Sequence, residues 1–294
     1  MPNLSFKKEV EVRVVYNSTR YKIAVTEIEF GQSFLEKSFE VKTLQNQVSF
    51  EGSVINQANP AEFSLSTYLV KDNRHKVLFD RLLDCETFDT YISTQSDDVW
   101  KLEKCVIQDG NFEINKSRPL RLTISGQATK LSKLGDGVAI PGGSDPTLST
   151  PTFIIPRITT LTLGSEDVSD SVIGVTAELQ NDIAWNKYNT LQGAAIATNA
   201  SNSMYPSNFT IGKKMLGGSI QKYLNDDSTS VLTWDTNTSL RLTAGNGTQG
   251  LDFNISNCSF TNRMSAGSIF GEEYNWRMTQ RPTALSSVIT YTTT

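Results

Sequence analysis

Val10, Val12 and Val14 alternate with Glu9, Glu11 and Arg13, the period of two that turns one face of a β-strand toward a core. Asn17-Ser18-Thr19 makes a turn, after which Tyr21, Ile23 and Val25 resume the alternation. Ile28 and Phe30 fall on the opposite parity, so a bulge or bend is expected near Thr26. Phe39 and Val41 mark another strand, and the polar residues 45–60 behind them are long enough for a projecting loop or hairpin arm. Phe63, Leu65 and Leu69 alternate again. Over residues 75–85 the period changes: Val77, Leu78, Leu82 and Leu83 recur at helical spacing, with Asn73 placed to cap the start. Residues 100–108, 111–114 and 120–126 then read as strands, with Asp109-Gly110 as a tight hairpin turn.

Residues 135–152, rich in Gly, Pro and small polar side chains, have nothing to bury and read as a linker. Its length is expected to matter more than its side chains. Beyond it the strand pattern returns at Leu161 and Leu163, Val175, Ala177 and Leu179, Ile183 and Trp185, Ile220 and Leu224, Leu251, Phe253 and Ile255, and Tyr274, Trp276 and Met278. From Thr283 onward the chain either adds a strand or remains a tail. The pattern predicts a mainly β (α+β) protein with domains at 1–134 and 153–294, each carrying at most one flanking helix.

The halves resemble each other. Ile28 and Ile183, Phe30 and Trp185, Leu65 and Ile220, Tyr68 and Tyr223, and Leu69 and Leu224 all stand 155 residues apart; Cys105 and Cys258 stand 153 apart, Ile124 and Met278 154. Small hairpin insertions would explain the drift, and a duplicated domain is the expectation. The tetrapeptide Leu-Arg-Leu-Thr at 120–123 and 240–243 has a different offset, 120, and is read as coincidence.

Composition narrows the function. A net charge of -4 and pI near 5.2 argue against a protein that grips nucleic acid, since phosphate affinity comes from clustered Lys and Arg. The N-terminal stretch shows no apolar signal region, and no run approaches a membrane span. Cys85, Cys105 and Cys258 lack metal-site spacing and are expected to be free, buried thiols of a protein made in a reducing cytoplasm.

Candidate chemistry is sparse. Gly245-Asn246-Gly247-Thr248-Gln249-Gly250 spells G-x-G-x-x-G, but Leu251 to Ser256 alternates as a strand where a dinucleotide site needs a helix, so a hairpin is expected. His75, the single histidine, lies between Arg74 and Lys76 and reads as a solvated surface residue. Lys7-Lys8 and Lys213-Lys214 read the same way, and the pairs Asp97-Asp98, Asp226-Asp227 and Glu272-Glu273 read as turn or surface acids. No catalytic residue, cofactor site or metal site is expected.

The segments Glu27-Ile28-Glu29-Phe30-Gly31-Gln32, Phe63-Ser64-Leu65-Ser66-Thr67-Tyr68-Leu69, Cys105-Val106-Ile107 and Thr123-Ile124-Ser125-Gly126-Gln127, in this order and followed by the linker, resemble tail tube proteins of long-tailed bacteriophages. The likeness is greatest to the two-domain type of T-five-like siphophages. It implies two tandem tail-tube-type β-sandwich or β-barrel domains in a structural virion protein whose strands join those of other subunits in one inner barrel. Three two-domain chains would replace the usual six subunits of a ring, and stacked rings would form the conduit for genome delivery. The implied partners are the chain itself, the tape measure, tail tip and tail terminator proteins, and double-stranded genomic DNA passing without specific binding, with no membrane. Under this resemblance Glu27, Glu29 and Asp182 are candidate lumen residues. The arm at 45–60 (Gln45, Glu51, Asn56) and its counterpart at 192–215 (Lys213, Lys214) are candidates for ring stacking. Two alternatives share the β architecture: the inner tube of a contractile tail or secretion-like machine, and a carbohydrate-binding adhesin using exposed aromatics such as Trp234.

Overall fold

The computed structural model describes residues 10–41, 50–94, 98–115, 118–144, 150, 152–186, 204–224, 238–267 and 269–293. The first half contains β1 (Glu11–Tyr16), β2 (Thr19–Ile23), β3 (Val25–Gly31), β4 (Phe34–Val41), β5 (Phe50–Ala58), β6 (Ala61–Tyr68), α1 (Lys76–Asp84), β7 (Phe88–Ser93), β8 (Asp98–Asn115), β9 (Arg121–Ala128) and β10 (Lys130–Asp136). The second half contains β11 (Arg157–Leu163), β12 (Glu166–Asp167), β13 (Val172–Trp185), β14 (Phe209–Tyr223), β15 (Thr238–Gly245), β16 (Gly250–Ala266), β17 (Phe270–Met278) and β18 (Ile289–Thr292). The protein is mainly β and entirely antiparallel in its named pairings, and α1 is the α-helix among the described residues.

One pairing scheme runs through both halves. β1 pairs β2 and β7, β7 pairs β8, β8 pairs β9 and β10, β9 pairs β6, and β6 pairs β3. Likewise β11 pairs β12 and β15, β15 pairs β16, β16 pairs β17 and β18, β17 pairs β14, and β14 pairs β13. The irregularities coincide as well: the bulge expected at Thr26 lies between Val25 and Glu27, and the matching shift lies between Val172 and Gly174. A further shift separates Phe88 from Thr90 on β7, and another separates Thr238 from Leu240 on β15.

This register corrects the uniform offset of 155. Tyr16 pairs Thr19 as Leu163 pairs Glu166, an offset of 147. Leu65 pairs Ile124 as Ile220 pairs Tyr274, offsets of 155 and 150. Ile28 therefore corresponds to Val175 rather than Ile183, because paired positions are farther apart in sequence in the β13–β14 hairpin (Val175 to Ile220) than from β3 to β6 (Ile28 to Leu65); Ile124 corresponds to Tyr274 rather than Met278. The two Leu-Arg-Leu-Thr copies fall on strands that do not correspond, β9 and β15.

Several local expectations fail for packing reasons. Asp109-Gly110 is no turn: β8 runs unbroken through it, and Gly110 is needed because a Cβ there would lie 2.2 Å from Leu82 of α1. Asn73 is not the cap: it opens a short 3-10 turn, Asn73–His75, ahead of α1, and Asp72 caps that turn, its carboxylate accepting from the Arg74 N–H at 3.1 Å. His75 and Arg74 are buried rather than solvated. His75 Nε2 accepts the Ala24 N–H at 3.1 Å, and burial lowers its pKa to about 4. The first part of the linker is tied to the first half. β10 extends to Asp136, and the Arg20 N–H donates to the Gly142 carbonyl at 3.2 Å. Gly142, at φ +96°, has no room for a Cβ, so its identity counts as well as the linker's length. The C-terminal stretch adds a strand, β18, to β16.

The halves share a core. Phe112 of β8 is fully buried between Phe79 of α1 and Phe253 of β16, with edge-on ring contacts of 6.0 and 6.1 Å. Phe79 also meets Tyr291 of β18 at 5.6 Å. At the end of α1, Asn181 donates its amide to the Leu82 carbonyl at 3.0 Å and to the Ile107 carbonyl at 3.1 Å, while Lys214 Nζ donates to the Leu83 carbonyl at 2.6 Å. A cation at a helix C-terminus complements the exposed carbonyls.

Candidate functional site: a polar sheet face with two open edges

The joint between the halves is a strand pairing. β8 is long enough to pair β7 with its first part and β9 with its second, and its remaining edge, Asp109–Asn115, pairs β13 of the second half. The result is one continuous run, β3-β6-β9-β8-β13-β14-β17-β16. Residues paired across an antiparallel sheet share a face, so side chains can be followed strand by strand. One face carries Ile28, Phe30, Leu65, Ile124, Phe112, Ala177, Ile220 and Tyr274, packed in or against the core. The other carries Glu29, Ser64, Ser125, Asp109, Gln180 and, farther along, Ser219, Asn275 and Thr261.

The polar face is acidic. Glu27, Glu29, Glu62, Asp109, Glu113, Glu178 and Glu273 lie on it, against Arg121, Arg263 and Arg277. Arg121 is engaged locally, 3.6 Å from Glu27 and 4.0 Å from Glu113. Hydroxyl contacts tie neighbouring strands, Ser66 to Thr123 at 3.0 Å and Thr176 to Ser219 at 2.9 Å, and Ser125 donates to Asp109 at 2.9 Å. Such a surface repels a polyanion at short range rather than binding it.

Of the residues singled out from the sequence, Glu27 and Glu29 are exposed on this face. Asp182 is exposed one step beyond the Gln180–Asp109 pair, where the β13–β14 hairpin outruns β8. Lys213 is exposed on the same hairpin, whereas Lys214 is turned inward to α1, which corrects its reading as solvated. Glu51 and Asn56 lie on β5; Gln45 and Trp234 lie outside the described residues, as do Asp97, Asp226 and Asp227. The arm is a separate two-stranded hairpin beginning at Phe34, earlier than expected, with Phe34, Leu35 and Ile55 exposed on it. The other acids of the face were missed. The alternation of Glu62, Ser64 and Ser66 with Phe63 and Leu65, and of Thr176, Glu178 and Gln180 with Ala177 and Leu179, would have found them.

Glu272 is not a surface acid. It is buried, accepting from Tyr274 Oη at 2.5 Å and from the Asn262 amide, with Lys222 Nζ at 3.8 Å. The G-x-G-x-x-G run forms the β15–β16 hairpin, with Asn246 Oδ1 accepting from the backbone of Thr248 and Gln249 and Gly247 at φ +100°. The three cysteines are free and buried, and burial pushes Cys105 and Cys258 up to about 12. Among the described residues no acidic, cysteine or histidine cluster is arranged to hold a metal, and no helix is long and apolar enough to cross a membrane.

No family model and no curated protein matches the chain. Among solved structures, part of the chain is similar to a chain in the cryo-EM structure of the anti-feeding prophage (AFP) baseplate, 6-fold symmetrised. The match is 15% identical with a TM-score of 0.37, covering 47% of this chain and 100% of that one. So loose a likeness carries no argument below.

The ends of the eight-strand run decide what the face can do. Among the described residues, β3 at one end pairs only β6; at the other, the last part of β16 pairs β17 on one side and no strand on the other. β16 holds the position in the second half that β8 holds in the first, and β3 the position of β13. The open edges are thus the two sides of the β8–β13 joint, separated onto opposite ends of the chain. Unpaired edges are templates for another strand.

Proposed function

We propose that the chain is a non-catalytic structural subunit of a bacteriophage tail tube, its two halves being copies of one tube domain. β3 of one copy adds to β16 of the next as β13 adds to β8, closing a ring of three chains; rings stack into a virion tube. The acidic sheet face lines the lumen, through which genomic DNA passes without being held, and the β4–β5 arm and β13–β14 hairpin reach toward adjacent rings. Tape measure, tail tip and tail terminator proteins are the further partners of this reading. It rests on the sequence resemblance and is carried by one observation: the chain already contains the joint, between halves that repeat the same pairings.

Carrying the β8–β13 register across sets Phe30 opposite Met264 of the next copy, Glu29 opposite Ser265 and Gly31 opposite Arg263. Arg263 then stands diagonal to Glu29, a favourable cross-strand pairing of charges. The test is electron microscopy of the purified chain with tail initiators, together with oxidation of Glu29→Cys and Ser265→Cys on separate chains. Threefold rings or tubes and an interchain disulfide are expected. Monomers under every condition, with no crosslink, would sink the reading.

A further inference from the structure

Phe112 closes the β8–β13 joint as a wedge. It stands opposite Ala177 and meets the Phe253 ring of β16 edge-on at 6.1 Å, and all three side chains are fully buried. The small Ala177 leaves room for the Phe112 ring. Two residues along the same face Ile114 stands opposite Val175, and both are buried.

The parts of a second such closure lie apart in the chain. Met264 holds the place of Phe112, since Phe112 pairs Leu122 as Met264 pairs Glu272. Phe30 holds the place of Ala177, pairing Phe63 as Ala177 pairs Gly218. Trp100 holds the place of Phe253, pairing Ile92 as Phe253 pairs Leu242, each on the far side of the matching register shift. Phe30 and Trp100 are half-buried and already in contact, their ring centres 6.2 Å apart. Met264, on the open edge of β16, is 60% exposed.

We propose that Met264 of one copy inserts against the Phe30–Trp100 pair of a second copy and seals the joint between chains from its core side. The inference rests on the ring reading above, which sets the strand register; the wedge adds Trp100, which lies on neither joined strand, and a requirement that the side chains match in size. They do match. Where Ala177 gives way to the larger Phe30, the phenyl ring of Phe112 gives way to an unbranched thioether, which adapts to irregular gaps and is attracted to ring edges. At the neighbouring pair Ile28 replaces Val175 and Ala266 replaces Ile114, so there too the β3 side is larger and the β16 side smaller.

The test exchanges these sizes in full-length chains, each of which brings both edges to a ring. Phe30→Ala leaves a gap and Met264→Phe overfills one, so each alone should lower ring yield about tenfold. The double variant, which carries the pair found at the β8–β13 joint, should come within about twofold of the parent. Damage to the fold would not be undone by the second substitution, and a double variant no better than the worse single one overturns the inference. A second readout needs no substitution: hydrogen peroxide transfers one oxygen atom to the Met264 thioether and leaves as water, and sulfoxide should form about tenfold more slowly in rings than in the unassembled chain. Trp100→Leu should remove most of that protection. Equal oxidation rates in rings and unassembled chain, or protection indifferent to Trp100→Leu, overturn the wedge. If these results go against it while the Glu29→Cys/Ser265→Cys pair crosslinks, the inference fails and the ring reading stands. If the chain stays monomeric under every condition with no crosslink, the ring reading fails and takes the inference with it.

Discussion

In the first half Phe112, Leu69 and Leu120 are covered by chain the molecule supplies, whereas the second half, with the same strand pairings, leaves the corresponding apolar positions in solvent. Phe112 is closed in by α1 and β16; Met264, its counterpart, is exposed. Leu69 and Leu120 are sealed by the segment before β11; Leu224 and Phe270 are open. When one scheme occurs twice in a chain, the better-covered copy shows what the other lacks, and in the proposed ring a neighbouring copy would lie beside the open positions.

The largest contrast should be between Phe112→Ala and Met264→Ala in unassembled protein. The first removes a ring wedged between two others and is expected to cost about 3–5 kcal/mol. The second, at an exposed site, should stay within about 0.5 kcal/mol. Urea unfolding of both variants checks this, and equal costs would show that the two positions are not used differently.

The buried polar cluster offers a sharper exchange. In the first half the places of Lys222 and Glu272 are taken by Thr67 and Leu122. Glu272→Leu leaves Lys222 buried without its carboxylate, which costs about 3–5 kcal/mol. Adding Lys222→Thr, so that the second half carries the first half's pair, should recover most of that loss. A double variant as unstable as the single one would mean that Tyr274 and Asn262, rather than Lys222, depend on Glu272.

A pH dependence should belong to the first half, since the chain's one histidine is there. Folded His75 titrates near 4 against an ordinary value of 6.5 because burial disfavours its charged form. Its contribution is therefore complete above pH 6.5 and is lost as pH falls toward 4, about 1.4 kcal/mol per unit and about 3 kcal/mol in all. Unfolding midpoints at pH 7 and pH 5 should differ less in His75→Gln than in the parent, and identical differences would argue against this assignment.

A smaller loss than at Phe112 or Glu272 is expected at the joint itself. Asn181→Ala removes the amide that bridges the Leu82 and Ile107 carbonyls, and a loss of about 1–3 kcal/mol is expected. Amide exchange should rise near the end of α1 and along the β8–β13 pairing, while β1 and β2 stay protected. A uniform rise would show that the halves unfold as one unit rather than parting at this seam.

Period-two alternation made the strands and the bulge at Thr26 legible, and helical spacing the helix, because each reflects only near neighbours in sequence. The lumen role of Glu27, Glu29 and Asp182 came from the resemblance, whereas alternation alone identifies Glu62 and Glu178 as polar neighbours of Phe63 and Leu179. Other features depend on what a distant segment brings. Gly110 looks like a turn until Leu82 is placed against it; His75 looks solvated until Ala24 and the first-half core close over it. A uniform repeat offset fails for a similar reason, since an insertion between β13 and β14 is invisible until hydrogen bonds fix which residues correspond.

Sequence by itself therefore determined the kinds of element, their order and the polar character of one strand face, all of which follow from local periodicity and composition. Tertiary structure decided which strands become neighbours, which polar groups are buried, and that the two halves are joined edge to edge. Strand pairing is non-local: the same alternation suits many partners, and only the folded chain shows one edge joined within the molecule and its counterpart left open.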